Sequence, residues 1–218
     1  MHCVPLGDQA LLCYLPDEAA AVQFARAAQA ANPAWLDDVV PAYASVGLVF
    51  RADAIRMPEV VAWAKRLRVR KLDIAGRKHV VPVCYELGPD LPRVAELTGL
   101  PAERVVERHA NRPYAVYAIG FVPGFPYLGY LPAELAGVGR LDSPRLKVEP
   151  GSVGLTGRQT GIYPLARPGG WNLIGRTPLV LVDVATGYFP LRVGDEVSFA
   201  RIGEAEFRAR EGERLASA

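Results

Sequence analysis

Apolar positions follow two different spacings in the first third of the chain. Residues 10–15 form a short continuous apolar run, the pattern of a buried strand. Residues 18–31 are alanine-rich, with larger apolar side chains at helical spacing. Asp17 stands where a helix cap belongs, and Asn32-Pro33 closes the run. Residues 38–43 and 45–50 mix Val, Leu, Tyr and Phe as a pleated, half-buried surface does, which predicts two more strands. Pro58 suits the first turn of a second helix, whose buried face is predicted to be Met57, Val60, Val61, Ala64 and Leu67. That helix runs into Lys65-Arg66-Leu67-Arg68-Val69-Arg70-Lys71. Cations there offset the helix macrodipole, and without interleaved aromatics the run does not read as a nucleic-acid surface.

Asp73-Ile74-Ala75-Gly76 marks the best domain boundary, giving a small α/β domain over 1–76 and a second domain over 77–218. Within the second, residues 79–85 read as a strand. Asp90 is a cap for a short helix ending at Thr98-Gly99, and Pro101 opens another that ends near His109. Tyr114, Val116 and Ala118 alternate with Ala115, Tyr117 and Ile119, the period of a strand. Between 120 and 178 the composition shifts: this stretch holds 12 of the 21 glycines and 8 of the 19 prolines. Helices do not survive that density, so turns, bulges and short strands are predicted. Strands resume at 179–182 and 196–199, with Arg192-Val193-Gly194-Asp195 as a tight turn before the last. The fold class expected is α+β, with the second domain a closed antiparallel barrel carrying two short helices.

Composition narrows the chemistry. Half of the 218 residues are hydrophobic, so a real core can be buried, and a net charge of +2 points to no particular partner. No apolar run approaches the ~20 residues of a membrane span. The first residues lack a basic start followed by an apolar stretch, so the chain is read as cytoplasmic, without a signal peptide. Cys3, Cys13 and Cys84 match no zinc spacing, and an odd number makes a poor disulfide framework. They read as buried, reduced thiols. His2, His79 and His109 have no metal-ligand companions, so no metal site is expected. There is no Gly-x-Ser-x-Gly elbow. The run from Gly151 to Thr160 lacks the lysine and spacing of a phosphate loop.

What remains is spread over the glycine-rich segment. Gly124, Gly129, Gly151, Gly154, Gly161, Gly169 and Gly170 let backbone amides approach a ligand. Arg145, Arg158, Arg167 and Arg176 lie among them, and guanidinium groups suit carboxylate and phosphate oxygens. Phe121, Phe125, Tyr127, Tyr163 and Trp171 can wall an apolar pocket or form a partner surface, while Gln159 and Thr160 supply neutral hydrogen bonds. For any single residue, a corner or core role in a barrel competes with these readings.

Three strings in this order closely resemble one family: Gly120-Phe121-Val122-Pro123-Gly124-Phe125-Pro126-Tyr127-Leu128-Gly129; Gly151-Ser152-Val153-Gly154 followed by Gln159-Thr160-Gly161-Ile162-Tyr163-Pro164; and Pro168-Gly169-Gly170-Trp171-Asn172-Leu173-Ile174-Gly175-Arg176-Thr177-Pro178. Val81-Pro82-Val83-Cys84-Tyr85 and Gly88-Pro89-Asp90-Leu91 add to the likeness. The family is that of the B component of 5-oxoprolinase, also known as allophanate hydrolase subunit 1, which includes the sporulation kinase A inhibitor. The sequence departs from it in a shorter stretch after Tyr85 and in Tyr130, where another glycine is expected, a change that would alter the pocket rim.

The resemblance implies a small α/β N-terminal domain and a cyclophilin-like barrel. It implies direct pairing with the C component of 5-oxoprolinase and a complex with the A component. Together these convert 5-oxo-L-proline to L-glutamate with ATP as co-substrate of the complex, the chain being inactive alone. Under that reading Arg145, Arg176 and His109 are the candidate catalytic residues, with His109 as acid or base. Gln159, Thr160, Tyr163, Gly169 and Gly170 are the candidate substrate contacts, and Phe125, Tyr127 and Trp171 the candidate partner surface. Two alternatives stay open: a binding module that docks on a histidine kinase through exposed Phe125 and Tyr127, and a carboxyltransferase-type subunit acting on urea or allophanate.

Overall fold

A computed structural model describes residues 1–69 and 76–216. Arg70, Lys71, Asp73, Ile74 and Ala75, which belong to the basic run and the expected boundary, lie outside the described residues. The chain forms two compact units, Met1–Ala75 and Gly76–Ala218.

The first unit contains β1 (His2–Pro5), β2 (Ala10–Tyr14), α1 (Glu18–Ala31), β3 (Leu36–Ala42), β4 (Ser45–Phe50) and α2 (Met57–Arg66). Its sheet order is β1-β2-β4-β3. Every pair is antiparallel, so the alternation of strands and helices does not produce a parallel sheet. Asp17 caps α1 by accepting the Ala20 N–H at 2.7 Å, and Asn32 ends it in the left-handed region. Ala21, Phe24, Ala25 and Ala28 are buried on one face of that helix. They meet Leu11, Cys13, Val46, Leu48 and Phe50 from the strands, with Val60 and Ala64 of α2 in the same core. Met57, Val61 and Leu67 pack at the edge of that core, as their helical spacing predicts.

The second unit contains β5 (Lys78–Val83), α3 (Leu91–Thr98), α4 (Ala102–Ala110), β6 (Pro113–Ile119), β7 (Pro126–Leu128), β8 (Arg145–Val148), β9 (Ser152–Thr156), β10 (Gln159–Ile162), β11 (Arg167–Gly169), β12 (Asn172–Arg176), β13 (Glu196–Arg201) and α5 (Glu204–Ala209). Strands β6-β7-β10-β9-β12 form a continuous antiparallel run, and β11 pairs with β8 apart from it. Strand β13 is antiparallel to β6 but parallel to β5, one exception to the antiparallel expectation, and among the described residues the strand pairings do not close the expected barrel. Asp195 fastens this corner. Its carboxylate accepts the Arg77 and Arg192 backbone N–H groups and pairs with His79.

Two local expectations change. Residues 179–182 are not a strand: Val180 makes only an isolated bridge to Arg214, although Leu179, Leu181 and Val182 are buried. Burial without a neighbouring strand edge gives an apolar run the same sequence signature. Asp90 stands at the start of α3, yet its side chain does not cap the helix. It accepts the Leu173 N–H at 2.7 Å and the Arg145 guanidinium at 2.6 Å, tying the loop before α3 to β12 and β8.

Candidate functional site

The aromatic residues of the glycine-rich segment gather around Phe125. Its ring meets Tyr127, Tyr163 and Trp171 edge-on at centroid distances of 4.9, 5.2 and 5.4 Å. Such edge contacts are the favoured geometry of aromatic quadrupoles. Tyr127 comes from β7, Tyr163 follows β10, and Trp171 lies between β11 and β12, so strand pairing brings them together. Two glycines make the packing feasible. A Cβ on Gly161 would lie 2.9 Å from Phe125 and 3.0 Å from Trp171, and one on Gly169 would lie 2.4 Å from the Tyr163 hydroxyl.

Beside this cluster opens a cavity of about 220 Å³. Phe121, Phe125, Tyr127, Tyr163 and Trp171 form its aromatic walls, and Pro144, Pro168, Gly169, Gly170 and Arg140 complete it. Phe121 is 59% exposed and holds a left-handed φ of 65°, a conformation that costs a bulky residue free energy. Burial pushes the Tyr163 phenol up, against the pull of the Trp171 N–H and the cations Arg140 and Arg145. Burial also raises Tyr127, with Arg140 opposing. Both hydroxyls are therefore protonated donors at neutral pH. Among the described residues the lining holds one cation, Arg140, and no carboxylate. A cavity with these groups suits a small ring or chain that carries one anionic group.

The expected site residues do not all meet there. Tyr163, Gly169 and Gly170 line the cavity. Phe125 and Trp171 line it too, but at 1% and 5% exposure they are filled in from within the chain, which corrects their assignment to an exposed partner surface. Tyr127 is half-buried beside them. Gln159 and Thr160 lie on β10, outside the lining. Arg145 is held by Asp90, with its Nη1 buried and unpartnered. Arg176 donates to the Pro150 carbonyl at 3.0 Å, sits over the Phe207 ring and lines a different groove with Thr177, Leu179 and Glu211. Tyr130 is also absent from the rim, lying under the Arg158 guanidinium and against Tyr117.

His109 is corrected most fully, because it is part of the core. Thr160 has one hydroxyl proton and donates it to the Gly154 carbonyl at 2.9 Å. His109 Nε2 must then carry a proton and donate to Thr160 Oγ1 at 2.9 Å. Nδ1 is left to accept from the Tyr85 hydroxyl at 2.8 Å. Phe199 stacks on the ring at 4.6 Å. Burial lowers the imidazole to about 3, so it stays neutral. Both nitrogens are spent on structure, and no open face remains for a substrate.

Arg140 is the cavity residue that the sequence reading passed over. It lies in the same setting as the arginines considered, directly after Gly139, and that adjacency was the available signal.

The family model of the carboxyltransferase domain, subdomain C and D, matches residues 1–188. The B component of 5-oxoprolinase from Haemophilus influenzae is 37% identical over 212 residues, covering 91% of this chain and 97% of that protein. This chain belongs to the family of 5-oxoprolinase B components. The B component of Bacillus subtilis is 48% identical over 132 residues, 59% of this chain, and the match spans about half, 55%, of that relative. Among solved structures, TTHA0988 aligns with a TM-score of 0.79 at 35% identity, over 89% of this chain and 40% of its own. The urea amidolyase of K. lactis aligns at 0.72 and 16% identity over 95% of this chain and 15% of its own, a likeness of fold alone. Among the described residues no helix is long and apolar enough to cross a membrane, and no cluster of metal-ligating side chains occurs.

Proposed function

We propose that this chain is the B component of an ATP-dependent 5-oxoprolinase complex, and that its aromatic cavity receives the cyclic amide. The observation that carries the reading is the lining itself: aromatic walls, one arginine and two protonated phenols around about 220 Å³. 5-Oxo-L-proline is a small five-membered ring with one carboxylate and one lactam carbonyl. Arg140 is suited to the carboxylate, the Tyr163 hydroxyl to the carbonyl, and the rings to the methylene face. Amide resonance makes the lactam a poor electrophile. ATP would supply a phosphoryl group to the amide oxygen, after which water opens the ring to glutamate. The residues of this chain would bind and orient the lactam while the ATP chemistry is completed by the partner polypeptides.

The partnership rests on the family relation and on proportion. In TTHA0988 the counterpart of this chain makes up 40% of a longer polypeptide. That supports a direct partner, the C component, with the A component completing the complex and this chain inactive alone. The histidine-kinase reading rested on exposed Phe125 and Tyr127; Phe125 is buried and Tyr127 half-buried, which weakens that surface as its docking site.

The test is reconstitution of the complex. Arg140→Ala is expected to raise the KM for 5-oxoproline at least about tenfold, the loss of one charge-assisted contact. Unchanged kinetics in Arg140→Ala and Tyr163→Phe would remove the cavity from the mechanism. Depletion assays that compare 5-oxoproline, urea and allophanate decide the substrate.

A further inference from the structure

The first unit carries a second reactive arrangement, far in sequence from the glycine-rich segment. Cys3 on β1 lies directly opposite Cys13 on β2 in an antiparallel register. Opposed residues on such strands have Cα atoms about 4.5–5.5 Å apart, inside the range a disulfide spans. The two Sγ atoms are 3.4 Å apart, with the Cys3 thiol donating to Cys13. Both thiols are free. Closing from that separation to a bonded ~2.05 Å takes a small rotation of the side chains rather than a backbone shift. Among the described residues, β1 is the sheet's edge and pairs with β2 alone. Cys3 is partly exposed there, while Cys13 is fully buried beneath it.

We propose that Cys3 and Cys13 are a reversible disulfide site that reacts with low-molecular-weight disulfides of the glutathione class. The Cys3 thiolate attacks one sulfur of glutathione disulfide. A Cys3–glutathione bond forms, the glutathione S–S bond breaks, and the first glutathione leaves as a thiol with the proton from Cys3. Cys13 then gives up its proton and attacks Cys3 Sγ, expelling the second glutathione as a thiol. The protein pair is oxidised by two electrons and glutathione disulfide is reduced by two, so the exchange balances. Excess thiol reverses it.

The geometry sets the order of attack, since Cys3 alone is accessible at the edge. Burial, then the contact with Cys3, pushes the Cys13 thiol up to about 12, which disfavours it as the first nucleophile. Once formed, the bond staples the edge strand to the sheet and shortens the freedom of the loop from Val4 to Leu12 in the unfolded chain.

The sequence makes the test clean. Trypsin releases both cysteines in one peptide, Met1 to Arg26, and Cys84 in another, His79 to Arg93. The full chain is incubated with excess glutathione disulfide, denatured, alkylated and digested. The expected result is a Met1 to Arg26 peptide lighter by two hydrogen atoms and carrying no alkyl label, which regains two labels after reduction. Cys84 keeps its label. Cys13→Ala is expected to stop at one glutathione on Cys3, and Cys3→Ser to leave Cys13 unmodified. A wild-type peptide that keeps both labels, or that ends as a stable glutathione adduct, overturns the proposal. So does glutathione on Cys13 in Cys3→Ser at the rate seen for Cys3.

Discussion

Two aromatic, hydrogen-bonding regions sit in the same unit and differ in one respect. Around His109, each polar atom has a partner: Tyr85 donates to Nδ1, Nε2 donates to Thr160, and Thr160 donates to the Gly154 carbonyl. Around Phe125, the rings enclose space, and Arg140 faces that space without a carboxylate in the lining. A closed polar chain inside a core gives specificity of folding, because each member would be costly to leave unpaired. An open one with a cation and the protonated Tyr163 phenol has donors to offer a ligand. The difference lies in whether the donors are spent, and residue type alone does not reveal it.

The largest effect that would break this comparison is at His109. His109→Ala removes the middle of the chain, leaves the Tyr85 hydroxyl without an acceptor and opens a void. It is expected to cost about 3–5 kcal/mol in urea unfolding. Full stability in that variant, with turnover lost, would return His109 to the catalytic group.

The acid limb of stability sharpens the same point. In the fold the imidazole sits at about 3, below its unfolded value of 6.5, because burial disfavours the charged form. Between those values the unfolded chain binds more protons, so stability is present above pH 6.5 and is lost as the pH falls toward 3. The slope expected from this group is up to ~1.4 kcal/mol per pH unit, and it should flatten in His109→Gln. An unchanged slope would show that the ring is not held neutral.

Gly169→Ala probes the cavity wall. The added methyl meets the Tyr163 ring and hydroxyl, and is expected to cost about 1–3 kcal/mol while weakening substrate binding in the reconstituted complex. Smallest in stability is Arg140→Ala. An exposed arginine outside any core network should change unfolding by less than ~0.5 kcal/mol, so the rise in KM expected for it is separable from folding. A large loss of stability there would make Arg140 structural and erase the contrast.

Much of the framework was legible residue by residue. Asp17 and Asn32 delimit α1 because capping is local chemistry, settled within four residues of chain. Pro58 stands at the first turn of α2 for the same reason. The glycine and proline density over 120–178 marked the segment that forms the cavity, and Tyr163, Gly169 and Gly170 were named from it. Asp90 shows where that reach stops. Its sequence position is that of a cap, but Leu173 and Arg145, far along the chain, take its oxygens. Residues 179–182 show the same limit, since burial in an irregular stretch and burial in a strand leave the same apolar signature.

By itself the sequence determined the elements of the first unit, the family and the segment that forms the aromatic cavity. These depend on short-range spacing and on motifs that each lie within 14 residues. Only the tertiary structure decided which polar groups are spent. It closed His109 between Tyr85 and Thr160, drew Arg145 to Asp90, and set Arg176 in a separate groove. It left Arg140 facing the aromatic cavity. Hydrogen-bond saturation is a property of partners brought together across β-sheet pairings, and no local pattern along the chain encodes it.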